Sequence, residues 1–404
     1  MRRLSPWALL ALATFSQTGM SLVQQGTAVL AVFLRQDLHL TLAAMGFLVS
    51  AMSLGVVAGQ IMSGLLVDER GPRWLLAWGT LLATLLALGL SRLSSYSLWA
   101  AGLFILGVAL ASVPSAGTRA MFQTFAAERR GLVMGIRQTG VPLGSALAAA
   151  LLPLVVETAG LHRVWWGLAA LLLVSGGLFV AAMPPWTGAR PSRARQPAPL
   201  GPVLGPMLVA LMLVSAQYSA LTFVIPDLEV RQGWTVAAAG LALALVQVGG
   251  GMGRVGLGWW SDRIRRRGPV IAGLAALAAM MAAVMAVLPR GVSPALLLPV
   301  LWLLGLGGVG WNGLSLTWAG ERGGETRAGR AMSWTGGAAF LGSALYPPLF
   351  GAVVDATHRF AVAWSGLAGW LVLGALVAAW LSRDEWGGRR GGEMVAAPGK
   401  NRMG

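Results

Sequence analysis

QVGGGMGRVGLGWWSDRIRRRG, residues 247–268, begins as an apolar, glycine-dense run with a single charge, Arg254. It then breaks into Ser261, Asp262 and a basic burst of Arg263, Arg265, Arg266 and Arg267. Read as a helix, the eight-position step from Arg254 to Asp262 lifts the arginine about 12 Å above the charged loop. Near the centre of a bilayer a guanidinium costs roughly 2.5 to 3.5 kcal/mol, so it is tolerated only where it faces water, a counter-charge or a ligand. No acid occupies the run to neutralise it. An anionic ligand is the leading reading of Arg254.

The rest of the chain has the composition of a membrane protein. Of its 404 residues 56% are hydrophobic and only 11% charged, which places it among lipid-embedded chains before any motif is considered. The net charge of +16 is therefore a question of topology rather than a sign of nucleic-acid binding. Cysteine is absent and His39, His162 and His358 are scattered, so neither a disulfide framework nor a zinc cluster is expected. No nucleophile, base and metal set converges; the expectation is a protein that is not an enzyme and needs no cofactor.

Twelve segments are long and apolar enough to cross about 30 Å of hydrocarbon. They run over 7–33, 42–66, 74–92, 96–120, 131–156 and 164–184, then 204–226, 236–260, 269–288, 294–319, 328–354 and 361–382. With the amino terminus on the cytoplasmic side, 21 of the 30 basic residues fall in inside loops and ends and six outside. That bias orients both termini toward the cytoplasm, in a cell inner membrane. Three arginines remain within spans: Arg119, Arg137 and Arg254. The basic, proline-rich stretch 187–203 reads as a cytoplasmic linker between a first six-helix bundle, 1–186, and a second, 204–384. Residues 385–404 show no apolar period and are expected to be disordered.

An internal repeat supports the division. GLLVDERGPRW from Gly64 aligns with GWWSDRIRRRG from Gly258, so that Asp68 and Asp262 correspond at an offset of 194, as do Gly55 with Gly249 and Gln60 with Arg254. MGIRQTGVPLGSAL at 134–147 aligns with MSWTGGAAFLGSAL at 332–345 at an offset of 198, placing Arg137 on Thr335. Homologous halves with asymmetric arginines are the pattern of a duplicated transporter whose binding site has specialised.

At this point the chain resembles the major facilitator superfamily of secondary transporters over essentially its whole length. Gly64, Asp68, Arg70, Gly71 and Arg73 lie close to that family's loop signature after the second helix, departing from it at Glu69 and Pro72, and Gly258, Asp262 and Arg263 repeat it after the eighth. The resemblance implies an all-α membrane fold of two pseudo-symmetric six-helix bundles. It further implies gating by Asp68, Arg70, Arg73, Asp262 and Arg263, with Asp68 meeting the start of the eleventh helix and Asp262 the start of the fifth. A carboxylate at a helix N-terminus gains roughly 0.3 to 1 kcal/mol, enough to bias two states without locking either.

Polar residues concentrate in particular helices: Gln24 in the first, Arg137 and Gln138 in the fifth, Gln217 and Tyr218 in the seventh, Gln247 and Arg254 in the eighth and Asn312 in the tenth. Spans three, six, nine and twelve are nearly bare of them, as a wet central cavity flanked by lipid-facing helices requires. Gln247 and Arg254, seven apart, share a helix face. Arg254 looks like the arginine with which monocarboxylate transporters and oxalate/formate exchangers hold a substrate carboxylate, a role suited to the planar, two-pronged guanidinium. The aspartate that animal monocarboxylate carriers place one turn earlier is Gly250 here, and the eleventh helix has no lysine. Arg137 is expected as a second cavity cation, whereas Arg119 is expected to snorkel to the interface.

All fourteen acids fall in loops, at helix ends or in the tail, with Asp37, Glu157, Asp227 and Asp355 assigned to the outer side. No mid-membrane carboxylate is available for drug/proton exchange, which disfavours cation efflux. The expectation is a secondary transporter of a small, monocarboxylate-like organic anion, acting as a monomer; if protons are the coupling ion, they must use Asp37, Asp227 or the substrate's own titration. Multidrug or hydrophobic-compound efflux is the alternative, and a non-transporting receptor a third.

Overall fold

Capping and proline chemistry write the helix starts into the sequence. Ser5, Thr41 and Thr235 each turn a hydroxyl back onto the amide three residues on, at Ala8, Ala44 and Ala238, and Pro6, Pro72 and Pro294 occupy first turns, where the missing amide hydrogen is no loss. Gly71 and Gly160, at φ of 84° and 81°, turn the chain between successive helices in a conformation that side chains avoid.

The computed structural model describes residues 5–126, 129–183, 201–324 and 328–386. Twelve rods lie within them. They are α1 (Pro6–Asp37), α2 (Leu42–Arg70), α3 (Pro72–Leu90), α4 (Tyr96–Leu110 continued by Ser112–Thr124), α5 (Arg130–Gln138 continued by Gly140–Ala159) and α6 (Leu161–Ala182). The second six are α7 (Gly201–Gln232), α8 (Val236–Met252, a π turn at Gly253–Leu257, then Gly258–Ile264), α9 (Arg267–Val287), α10 (Pro294–Val309 continued by Asn312–Gly323), α11 (Ala328–Thr357) and α12 (Phe360–Leu381). No strand occurs among the described residues. Eleven of the rods are long and apolar enough to cross a membrane. The other, α1, spans 32 residues and is made more polar by Gln17, Gln24, Gln25 and its hydroxyls.

In the first six helices α1 packs on α5, α2 on α4 and α3 on α6; in the second six α7 packs on α11, α8 on α10 and α9 on α12. The two sets are one pairing shifted by six helices. They meet along α2 with α11, α5 with α8 and α1 with α7.

Those seams are tight at the face opposite the chain ends. A Cβ on Gly46 of α2 would lie 2.6 Å from the Pro347 carbonyl of α11, and one on Gly240 of α8 would lie 2.6 Å from the Ala149 carbonyl of α5. Toward the face that carries the chain ends, Gly64 of α2, Gly135 of α5, Gly258 of α8 and Gly337 of α11 meet nothing within 4 Å. The molecule is sealed on one face and parted on the other.

Several expectations shift. Residues 201–203, assigned to the linker, already belong to α7, and Arg383–Trp386 forms a last helical turn where the tail was expected to begin. The remainder of the linker and of the tail lies outside the described residues. Asp227, assigned to the outer side, and Arg231, one of the six basic residues counted outside, sit inside α7. Asp227 is fully buried, ion-paired with Arg231 four residues on, and accepts a 3.0 Å bond from the Trp364 indole of α12. Hydropathy ended the span at 226 because it scored the pair as solvated charges, whereas mutual pairing keeps the helix going.

Candidate functional site

Four rods are interrupted near mid-length, and each break has a local cause. Pro114 and Pro142 remove the amides that would hold α4 and α5 straight, so the helices break at Ala111 and Thr139. In α10 the glycine-dense run before Trp311 breaks the rod at Gly310–Trp311, and in α8 the run Gly249–Gly253 leads into the π turn. The last two breaks touch. Gly253 and Gly310 approach so closely that a Cβ on either would stand 3.0 Å from the Cα of the other.

Arg254 follows Gly253 within the π turn. Its Nε donates to the Val309 carbonyl at 3.2 Å, an oxygen at the end of the first segment of α10. The two terminal nitrogens make no hydrogen bond or ion pair among the described residues, and no carboxylate clamps the group. A guanidinium held by Nε alone keeps its two-pronged edge for a ligand.

Tyr218 is electrostatically coupled to Arg254, and the side chains of Gln24, Ser53 and Ser343 are grouped around its hydroxyl. These side chains come from α7, α8, α1, α2 and α11, so the cluster is shared by both halves. Of them Arg254, Tyr218 and Gln24 were named from sequence; Ser53 and Ser343 were not. Two signals pointed there. Gln24 and Tyr218 are related by the offset of 194, and Ser343 is the serine of the repeated GSAL.

The other sequence-derived residues are distributed around this point. Gln247 is buried, and Gln217 is buried with its carbonyl oxygen unpartnered among the described residues. Asn312 is half-buried where α10 restarts, and Gln138 is exposed beside the break in α5. Arg137 is 1% exposed. Rather than joining Arg254 it turns into the first six helices, donating from Nη1 to Gln17 Oε1 at 2.7 Å and from Nη2 to Thr118 Oγ1 at 3.1 Å, against the open backbone of Gly117. Gln17 and Thr118 sit where the break in α4 and the polar stripe of α1 meet, a conjunction invisible along one helix. Arg119 is half-buried in α4.

Among the described residues, Arg70, Arg73, Asp262 and Arg263 make no bond across the halves in this state. Asp262 pairs with Arg267 at 2.7 Å within its own half rather than with the start of α5, and Arg267 also meets Glu321. Arg263 lies 5.8 Å from the Trp259 ring centroid and Arg70 lies 5.4 Å from that of Trp74, while Arg73 is exposed. The arrangement accords with the parting of the terminal face. The side chain of Asp68 lies outside the described residues.

The family model for the Major Facilitator Superfamily matches the chain over residues 9–347. The chain belongs to the Major Facilitator Superfamily. An uncharacterized MFS-type transporter of Mycobacterium tuberculosis (strain ATCC 25618 / H37Rv) is 30% identical over 367 residues, covering 89% of this chain and 81% of that protein. Among solved structures, a peptide transporter in complex with sulfate superposes with a TM-score of 0.77 at 13% identity, covering 93% of this chain and 94% of that one. A nucleoside transporter superposes with a TM-score of 0.74 at 15% identity, covering 92% and 99% respectively. At such identity the structures share the fold alone. As a superfamily member the chain is a multi-pass membrane transporter and not an enzyme.

Proposed function

We propose that this transporter carries a small, monocarboxylate-like organic anion by alternating access, with Arg254 as the principal anion-binding residue. The observation that carries the reading is the half-used guanidinium: Nε is fixed by Val309, and the terminal nitrogens have no partner among the described residues. Guanidinium is always charged, so a half-buried one without a counter-ion gains most from an anion that supplies two acceptor oxygens. Tyr218, Gln24 and Gln247 supply the polar remainder of the site, with Gln217, Gln138 and Asn312 around it. Arg137 serves this site from behind, by holding α1, α4 and α5 in register. The carrier works as a monomer in the inner membrane with both termini cytoplasmic, its halves 1–186 and 204–384 rocking about the site, with protons as coupling ion.

The test is uptake of labelled monocarboxylates into proteoliposomes. Wild-type protein accumulates at least one of acetate, lactate, pyruvate or formate. Arg254→Gln loses at least about 90% of that uptake, and Arg254→Lys, which keeps the charge but not the fork, loses roughly tenfold. Full uptake by both variants, or export of neutral and cationic dyes indifferent to Arg254, would replace this reading with hydrophobic-compound efflux.

A further inference from the structure

Asp355 lies near the end of α11, yet both of its carboxylate oxygens are engaged by the other half of the molecule. Oδ1 accepts from the Leu42 amide at 3.0 Å and Oδ2 from the Ala43 amide at 2.8 Å. These are the first two amides of α2, which have no acceptor within their own helix; Thr41 serves only the third, at Ala44. The carboxylate therefore caps a helix of the opposite bundle and sits against its positive end. It also stands at the rim of the closed face, where Gly46 abuts Pro347 and Gly351 abuts the Leu42 backbone.

The repeat supplies an internal control. At offsets of 194 and 198, Leu42 corresponds to Val236, Gly46 to Gly240, Pro347 to Ala149, Gly351 to Pro153 and Asp355 to Glu157. The seam of α5 with α8 is built like that of α2 with α11, down to the glycine pressed on the opposing backbone and the threonine cap at Thr235. Its carboxylate is the exception. Glu157 is exposed and makes no hydrogen bond or ion pair among the described residues.

We propose that Asp355 is a one-sided latch, bridging α11 to α2 so as to hold the face opposite the chain ends shut, and that its release precedes the opening of that face. Among the described residues, the seam of α5 with α8 closes by packing alone in this state. The bridge acts on the conformational balance and does not depend on which solute is carried.

Because the chain contains no cysteine, Ser50→Cys provides a single reporter. Ser50 is 1% exposed, lies one turn from Gly46 on the same face of α2, and donates to the Gly46 carbonyl. The measurement is the labelling rate of the purified protein in nanodiscs with a thiol-reactive fluorophore. Adding Asp355→Asn or Asp355→Ala is expected to raise the rate about 5- to 30-fold, which is about 1 to 2 kcal/mol at 1.4 kcal/mol per tenfold. Glu157→Gln should leave it within about twofold. Unchanged labelling in the Asp355 variants overturns the latch, even where they melt lower, since lower stability without greater access marks an ordinary helix cap. An equal rise with Glu157→Gln overturns it too, because the effect would then be loss of acidic charge at that face. Should Asp355→Ala not be recovered, the isosteric Asp355→Asn decides alone.

Discussion

Two arginines were legible as membrane-depth charges, and their fates differ because of their neighbours. Arg254 emerges from a glycine-rich π turn, where one nitrogen is tied to Val309 and the terminal nitrogens have no partner among the described residues. Arg137 emerges beside Gln17 and Thr118, which absorb both terminal nitrogens. The distance of each arginine from the charged loop could be read along the chain; the contents of the facing helices could not, since Gln17 is 120 residues away from Arg137. The stability of Arg137 variants should report this wiring. Arg137→Met strands the Gln17 carbonyl oxygen in a dry interior, a penalty of about 1 to 3 kcal/mol. Thermal unfolding in one fixed detergent should therefore show Arg137→Met melting below wild type and Gln17→Met/Arg137→Met melting above the single variant. A double variant no better than the single would mean that the two side chains are not energetically coupled.

At the scale of helices, the spans were readable because each needs about 20 apolar residues, while the breaks were not, because hydropathy averages over them. Proline explains those at Ala111 and Thr139 after the fact; the meeting of Gly253 with Gly310 required the fold, since 57 residues separate them. That meeting fixes where Arg254 stands relative to α10. Gly310→Ala would drive a methyl group into the Gly253 backbone and the Leu306 carbonyl, and backbone cannot yield as a flexible side chain can. Anion uptake should fall at least about fivefold in proteoliposomes matched for protein content. Gly256→Ala, two residues beyond Arg254 in the same π turn, meets nothing within 4 Å and should transport within about twofold of wild type. Equal loss in both would show that helix propensity, not the contact between α8 and α10, is what the glycines serve.

At the scale of the whole molecule, the duplication at offsets of 194 and 198 carried the architecture, because identical pairings recur wherever the repeat places equivalent helices. It could not tell which face is closed, since one sequence must supply the residues that close each face in turn. The gating aspartates named from the loop signature belong to the face that is parted here, and among the described residues the side-chain bridges between the halves lie at the other. Besides Asp355, Gln36 of α1 donates to Glu229 of α7 at 3.0 Å, joining the two central helices of the halves. If rocking of the halves is the transport motion, that bridge must separate once per cycle. In the cysteine-free chain, Gln36→Cys/Glu229→Cys can be joined by a short bis-maleimide carrying a cleavable disulfide. Uptake should drop to background on cross-linking and return on reduction, while either single cysteine treated alike should transport normally. Undiminished uptake by fully cross-linked protein would mean that this face never opens, and a carrier with one permanently closed face cannot work by alternating access.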